Sequence, residues 1–203
     1  MTKIKLCGLS RPCDIEWANA LMPDYIGFVF ARKSRRYVMP ETAKELRGKL
    51  DPAIQAVGVF VNESPEVVAV LLNDGIIDIA QLHGGEDEDY IKALRKLTER
   101  LLIQAFRVGG PADLERAYRS SADHILLDNG AGGTGATFDW ALLKEFDRPC
   151  FLAGGLSPEN VARAVKAVHP FAVDVSSGIE TDGVKDYKKM TAFVSAVRKA
   201  HQE

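Results

Sequence analysis

Short apolar runs alternate with longer amphipathic stretches along the whole chain. Runs rich in Ile, Val, Leu and Phe fall at 4–7 (IKLC), 25–30 (YIGFVF), 54–61 (IQAVGVFV) and 78–83 (DIAQLH). Four more follow at 101–106 (LLIQAF), 124–128 (HILLD), 150–154 (CFLAG) and 171–175 (FAVDV). Their length and β-branched content predict strands. Between them, apolar positions recur at helical spacing near 11–22, 41–50, 65–73, 87–99, 111–120, 139–146, 158–168 and 186–200. Ser64-Pro65-Glu66 and Ser157-Pro158-Glu159 each set a capping hydroxyl before a proline at the first helical position.

Eight strands, each followed by a helix, predict a parallel α/β sheet, because parallel neighbours need a crossover. An open doubly wound sheet and a closed barrel both satisfy the pattern. Eight units in 203 residues favour a (β/α)8 barrel at the compact end of its size range. No linker, low-complexity segment or shift in composition divides the chain, so residues 1–203 read as one domain.

A barrel places its chemistry where the strands end. Those positions hold Cys7, the basic cluster at 32–36, Asn62, His83, Arg107, Asp128, Gly154-Gly155, and Asp174 with Ser176-Ser177-Gly178. Strand alternation puts Cys7 on one face with Lys5, His83 with Gln81 and Asp128 with His124, and turns Leu6, Leu82 and Leu127 toward the helices.

Charge and cysteine usage narrow the classes. Lys plus Arg number 26 and Asp plus Glu 28, so the net charge of −2 carries no footprint for nucleic acid or an anionic membrane. Hydrophobic residues at 46% and charged residues at 27% match a globular domain. Three cysteines without a CxxC pair suggest neither a disulfide framework nor a zinc ribbon. No apolar stretch approaches a membrane span, and the first residues lack a signal-peptide pattern. The expectation is a reduced, cytoplasmic chain.

Each candidate group has a chemical and a plainer reading. Gly154-Gly155 and Ser176-Ser177-Gly178 follow strands seven and eight, where such barrels often bind phosphate through backbone N–H groups. Two tight turns are the plainer alternative. In Arg32-Lys33-Ser34-Arg35-Arg36 one guanidinium could clamp a substrate carboxylate, while the rest read as a solvated loop. Cys7 shares its face with Lys5, a setting that favours a thiolate, although buried cysteines are often inert. Cys13 and Cys150 lack that setting and read as structural. Asp128 could pair with Cys7 as acid and base across one pocket, or merely form a turn. The segment GAGGTGAT at 130–137 matches a dinucleotide fingerprint weakly and reads better as a lid. The four histidines lack metal-ligand spacing, so no metal is expected. His83 could contact substrate or be satisfied by its neighbours.

Taken in order, several motifs resemble the phosphoribosylanthranilate isomerase family along the whole length. They are KLCG (5–8), GFVF with KSRRYV (27–38), VGVFVN (57–62), QLHG (81–84), LLD with GGTGATFDW (126–140), GGLSPENV (154–161) and PFAVDVSSGIE (170–180). The resemblance implies a (β/α)8 barrel and a cofactor-free Amadori rearrangement of a small phosphorylated substrate. By position it implies Cys7 as general base and Asp128 as general acid. It implies Arg36 at the anthranilate carboxylate, and Gly154, Gly155, Ser176, Ser177 and Gly178 at the phosphate; His83 and Asp174, read from their strand-end positions, are further candidates for substrate contact. Arg35 stands where many members have proline or lysine, Ala136 where a polar residue is frequent, and GLSR at 8–11 brings in Arg11. The competing readings are an indole-glycerol-phosphate synthase, a phosphosugar epimerase, or a non-catalytic phosphometabolite binder. The chain is expected to act as a monomer or homodimer, without nucleic-acid or membrane partners.

Overall fold

In the computed structural model, residues 1–129, 140–143 and 146–200 are described. Eight parallel strands close into a barrel in sequence order: β1 (Lys3–Cys7), β2 (Tyr25–Val29), β3 (Gln55–Phe60), β4 (Ile79–Leu82), β5 (Leu101–Val108), β6 (His124–Asn129), β7 (Cys150–Leu152) and β8 (Ala172–Val175). Closure comes from β1 pairing with β8, which sets Lys5 opposite Asp174. The helices are α1 (Pro12–Leu21), α2 (Pro40–Arg47), α3 (Pro65–Asn73), α4 (Glu88–Arg95), α5 (Pro111–Arg119), α6 (Val161–Val168) and α7 (Tyr187–Lys199). No helix among the described residues is long and apolar enough to cross a membrane.

Local chemistry starts the helices. Pro12, Pro40, Pro65 and Pro111 occupy first-turn positions, where their missing N–H has no intrahelical partner to lose. The Ser64 hydroxyl accepts from Val67 N–H, as the sequence predicts. Ser157 differs. Its carbonyl accepts from Asn160 and Val161 N–H groups, while its own N–H donates to the Asn160 side chain. Pro158, Glu159 and Asn160 form a turn, and regular helix begins only at Val161. The helix predicted over 139–146 is, in its described part, a single 3-10 segment at Trp140–Leu143.

The strand alternation sorts side chains into two apolar layers. Leu6, Phe28, Phe60, Leu82 and Leu127 face outward into the core beneath the helices. Tyr25, Val57, Ile79, Ile103, Leu126 and Phe151 fill the barrel. Each such fully buried side chain stabilises by about 1.5–3 kcal/mol. Near the N-terminal strand ends the His124 ring stacks on Phe171 at 5.1 Å and meets Phe151 edge-on at 5.8 Å. Above these apolar groups lie buried Lys5, Gln81 and Asp174. The barrel is therefore closed below and polar toward its C-terminal mouth.

Candidate active site

A cavity of about 610 Å³ opens at that mouth. Cys7 reaches it from the end of β1, Asp128 from β6, and His83 from just beyond β4. Arg36 comes from the loop after β2, and Gly154, Gly155, Ser176 and Ser177 from the loops after β7 and β8.

Cys7 is 7% exposed and packs with Val29 and Val59. It lies opposite Gly27 of β2, where any Cβ would come within 2.6 Å of the Cys7 sulfur, so glycine makes room for the thiol. Burial pushes the thiol above its ordinary value; Lys5 and Lys185 pull it down, and Asp174 adds to the rise. The thiolate favoured by neighbouring positive charge is thus corrected. The cations are present, but desolvation outweighs them and the resting group is a thiol. Cys150 behaves as a structural residue, its thiol pushed up to about 12 by burial.

Arg36 does not stand free. Its Nε and Nη2 donate to the two carboxylate oxygens of Glu180 at 2.6 and 2.7 Å. Glu180 also accepts from Lys185 Nζ at 2.6 Å, and Lys185 donates to the Ser176 carbonyl at 2.8 Å. Burial alone would raise the Glu180 carboxyl, yet Arg36 and Lys185 together hold it below its ordinary range. Glu180 and Lys185 sit on a two-strand hairpin, β9 (Glu180–Thr181) and β10 (Val184–Lys185). Its turn residues Asp182 and Gly183 both have positive φ, 52° and 81°, the backbone of a tight two-residue hairpin. Arg11 binds Asp14 through two nitrogens and donates to the Lys185 carbonyl at 2.8 Å, tying the first loop to this hairpin.

The loops after β7 and β8 interlock. Gly154 and Gly155 have φ of 85° and 67°, a region that disfavours side chains. Asn160 Nδ2 donates to the Gly155 carbonyl at 2.8 Å. Gly178 packs so tightly that any Cβ there would collide with the Leu156 carbonyl oxygen. Deeper in the barrel, Asp174 accepts from Lys5 at 3.0 Å. Across the cavity, Asp128 Oδ2 lies 3.3 Å from His83 Nε2. A second cavity of about 690 Å³, sharing His83, takes Asn62 and Arg107.

The sequence matches the N-(5'-phosphoribosyl)anthranilate (PRA) isomerase family over residues 4–196. The chain belongs to this family. It is 46% identical to the N-(5'-phosphoribosyl)anthranilate isomerase of Endomicrobium trichonymphae over 202 residues, covering 98% of this chain and 99% of that one. The crystal structure of phosphoribosyl anthranilate isomerase from Thermotoga maritima superposes with a TM-score of 0.90 at 38% identity, over 98% of this chain and 100% of that one. Another structure of such an isomerase, in complex with reduced 1-(o-carboxyphenylamino)-1-deoxyribulose 5-phosphate, gives 0.87 at 37% identity, with 98% and 100% covered. The eight-stranded barrel read from the sequence is therefore shared with the isomerase family.

Within this family member, the structure brings every sequence-predicted site residue except Gly178 to the cavity wall. Gly178 lies behind the wall, against the loop after β7. Asp174 reaches the cavity with its carboxylate already engaged by Lys5. Glu180 and Lys185 escaped the sequence reading, although Asp182-Gly183 between short alternating residues is a hairpin signal. The glycine-rich segment 130–137 lies outside the described residues.

Proposed function

We propose that the chain catalyses the Amadori rearrangement of N-(5-phosphoribosyl)anthranilate to 1-(2-carboxyphenylamino)-1-deoxyribulose 5-phosphate, with Asp128 as general acid and Cys7 as general base. The observation that carries this reading is a carboxyl and a thiol, from β6 and β1, on one cavity that Arg36 and the loops after β7 and β8 also line. Glu180 engages Arg36 through Nε and Nη2, which leaves the Nη1–Nη2 edge able to receive the anthranilate carboxylate as a second fork. The glycine and serine loops after β7 and β8 suit the phosphate, since their backbone admits close approach.

In this mechanism Asp128 protonates the ribose ring oxygen, and the C1–O bond breaks to give a protonated Schiff base. That cation acidifies the C2 proton, which Cys7 removes to give an enolamine. The enolamine hydroxyl then loses its proton as C1 gains one, leaving the ketone. No electrons enter or leave. Burial holds Cys7 as a thiol at rest, so it must give its own proton to solvent before it can accept the C2 proton, and the Schiff-base cation adds to Lys5 and Lys185 a third positive charge that favours the thiolate. On this reading one barrel unit, as a monomer or homodimer in the cytoplasm, acts on a small phosphorylated molecule.

The test follows anthranilate-type fluorescence with the substrate generated in situ and a chelator present. Wild type is expected to consume it quickly, and Cys7→Ser and Asp128→Asn each to lower the rate by about 10²–10⁴-fold. A flat trace from folded wild type refutes the assignment.

A further inference from the structure

Four polar side chains inside the barrel form a continuous run of hydrogen bonds, and its first member sets the direction of every bond. Lys5 Nζ lies 2.8 Å from Gln81 Oε1, Gln81 Nε2 lies 2.8 Å from His83 Nδ1, and His83 Nε2 lies 3.3 Å from Asp128 Oδ2. An ammonium has donors only. Burial pulls Lys5 down, but the Asp174 carboxylate at 3.0 Å, together with Cys7, more than offsets it, and Lys5 stays charged. The Gln81 oxygen must therefore face Lys5, which turns the Gln81 amide nitrogen, a pure donor, onto His83 Nδ1. That nitrogen must accept, so it carries no proton. The proton of a neutral imidazole then sits on Nε2, directed at Asp128.

We propose that Lys5 and Gln81 fix His83 as the neutral Nε2–H tautomer and that His83, so fixed, positions Asp128 to act as an acid. The proposal rests on Asp128 being the acid of the isomerisation. The two other states of His83 would each spoil that role. An imidazolium at this distance would form an ion pair and hold Asp128 as a carboxylate with no proton to give. The Nδ1–H tautomer would turn a lone pair toward Asp128 and draw the acid's proton into its own hydrogen bond. Only the Nε2–H form occupies Oδ2 as an acceptor and leaves Oδ1 to carry a proton into the cavity. Gln81, 1% exposed, and His83 are on this account positioning residues.

The tautomer is read directly from long-range ¹H–¹⁵N correlations of the histidine rings in the ligand-free protein, with the His83 signals assigned by their loss in His83→Gln. Wild type is expected to show Nε2–H, and Gln81→Glu, which puts an acceptor opposite Nδ1, to move the proton to Nδ1. In turnover, Gln81→Met is expected to lower kcat about tenfold with little change in KM. In a His83→Phe background there is no ring proton to place, so adding Gln81→Met there should cost about twofold at most. An Nδ1–H or doubly protonated ring in wild type, or an equal loss in both backgrounds, overturns the proposal. The spectrum needs no substrate. Wild type that fails to turn over the aminoaldose while showing Nε2–H refutes the isomerase reading and the positioning role with it, and leaves the relay standing as structure.

Discussion

Replacing Lys5 by methionine removes a charge while nearly preserving side-chain length, at a position with no solvent exposure. The ammonium lies 3.0 Å from Asp174, whose side chain is 9% exposed. Loss of one partner from a buried pair costs about 3–5 kcal/mol, chiefly because the other charge is left without compensation. Asp174 borders the cavity and some water can reach it, which favours the lower end, about 3 kcal/mol. For a chain of this size that is a melting-temperature drop of about 6–12 °C. The double variant Lys5→Met with Asp174→Asn removes the stranded charge and is expected to recover at least half the loss. Thermal and urea unfolding followed by circular dichroism measure both. The pH dependence has a definite sign. Lys5 is raised above its ordinary 10.5, so its contribution is fully present below that value and is lost only as pH rises through the higher folded value. The gap between wild type and Lys5→Met should therefore be the same at about pH 7 and about pH 9. A loss under about 1 kcal/mol, or a double variant no more stable than the single, refutes the ion-pair reasoning.

Two further outcomes follow from the site. Burial lifts the Cys7 thiol above its ordinary 9.0, so alkylation of Cys7 by iodoacetamide, followed by mass spectrometry of its peptide, should climb about tenfold per pH unit from about pH 7 and still rise near about pH 9; a plateau below about pH 8 shows that burial does not raise the thiol. Gly178→Ala forces a methyl group into the Leu156 carbonyl, and the loops after β7 and β8 must part. Such overpacking costs about 1–3 kcal/mol, expected here as a KM raised about tenfold with weaker competition by inorganic phosphate. An unchanged KM in a folded variant detaches this loop contact from phosphate binding.

Much of the architecture was legible along the chain because strand and helix periods are short-range properties. The run IKLC ends at Cys7 in the sequence and in the barrel alike, and Leu6, Leu82 and Leu127 face the helices as alternation requires. Strand ends are legible directly, and in a barrel they converge on one mouth, which is where Cys7, Asp128 and the two glycine-bearing loops stand. The reading faltered where local pattern was ambiguous: residues 140–143 carry apolar positions that suit a helix or a 3-10 turn, and a hairpin of two-residue strands is too short to show alternation.

Partners and ionisation belonged to the tertiary structure. Arg36 and Glu180 are 144 positions apart, and Lys5 lies 76 positions from Gln81 and 169 from Asp174. No window along the chain contains such pairs; closing β1 against β8 brings them together. Cys7 shows the same division. Its neighbours in sequence announce positive charge, but whether charge or desolvation wins depends on how completely the folded barrel excludes water, and there burial prevails. By itself the sequence determined which residues would stand at the mouth, because alternation and strand ends are local. Only the fold decided their protonation and pairing, because electrostatics depends on distance and solvent in three dimensions.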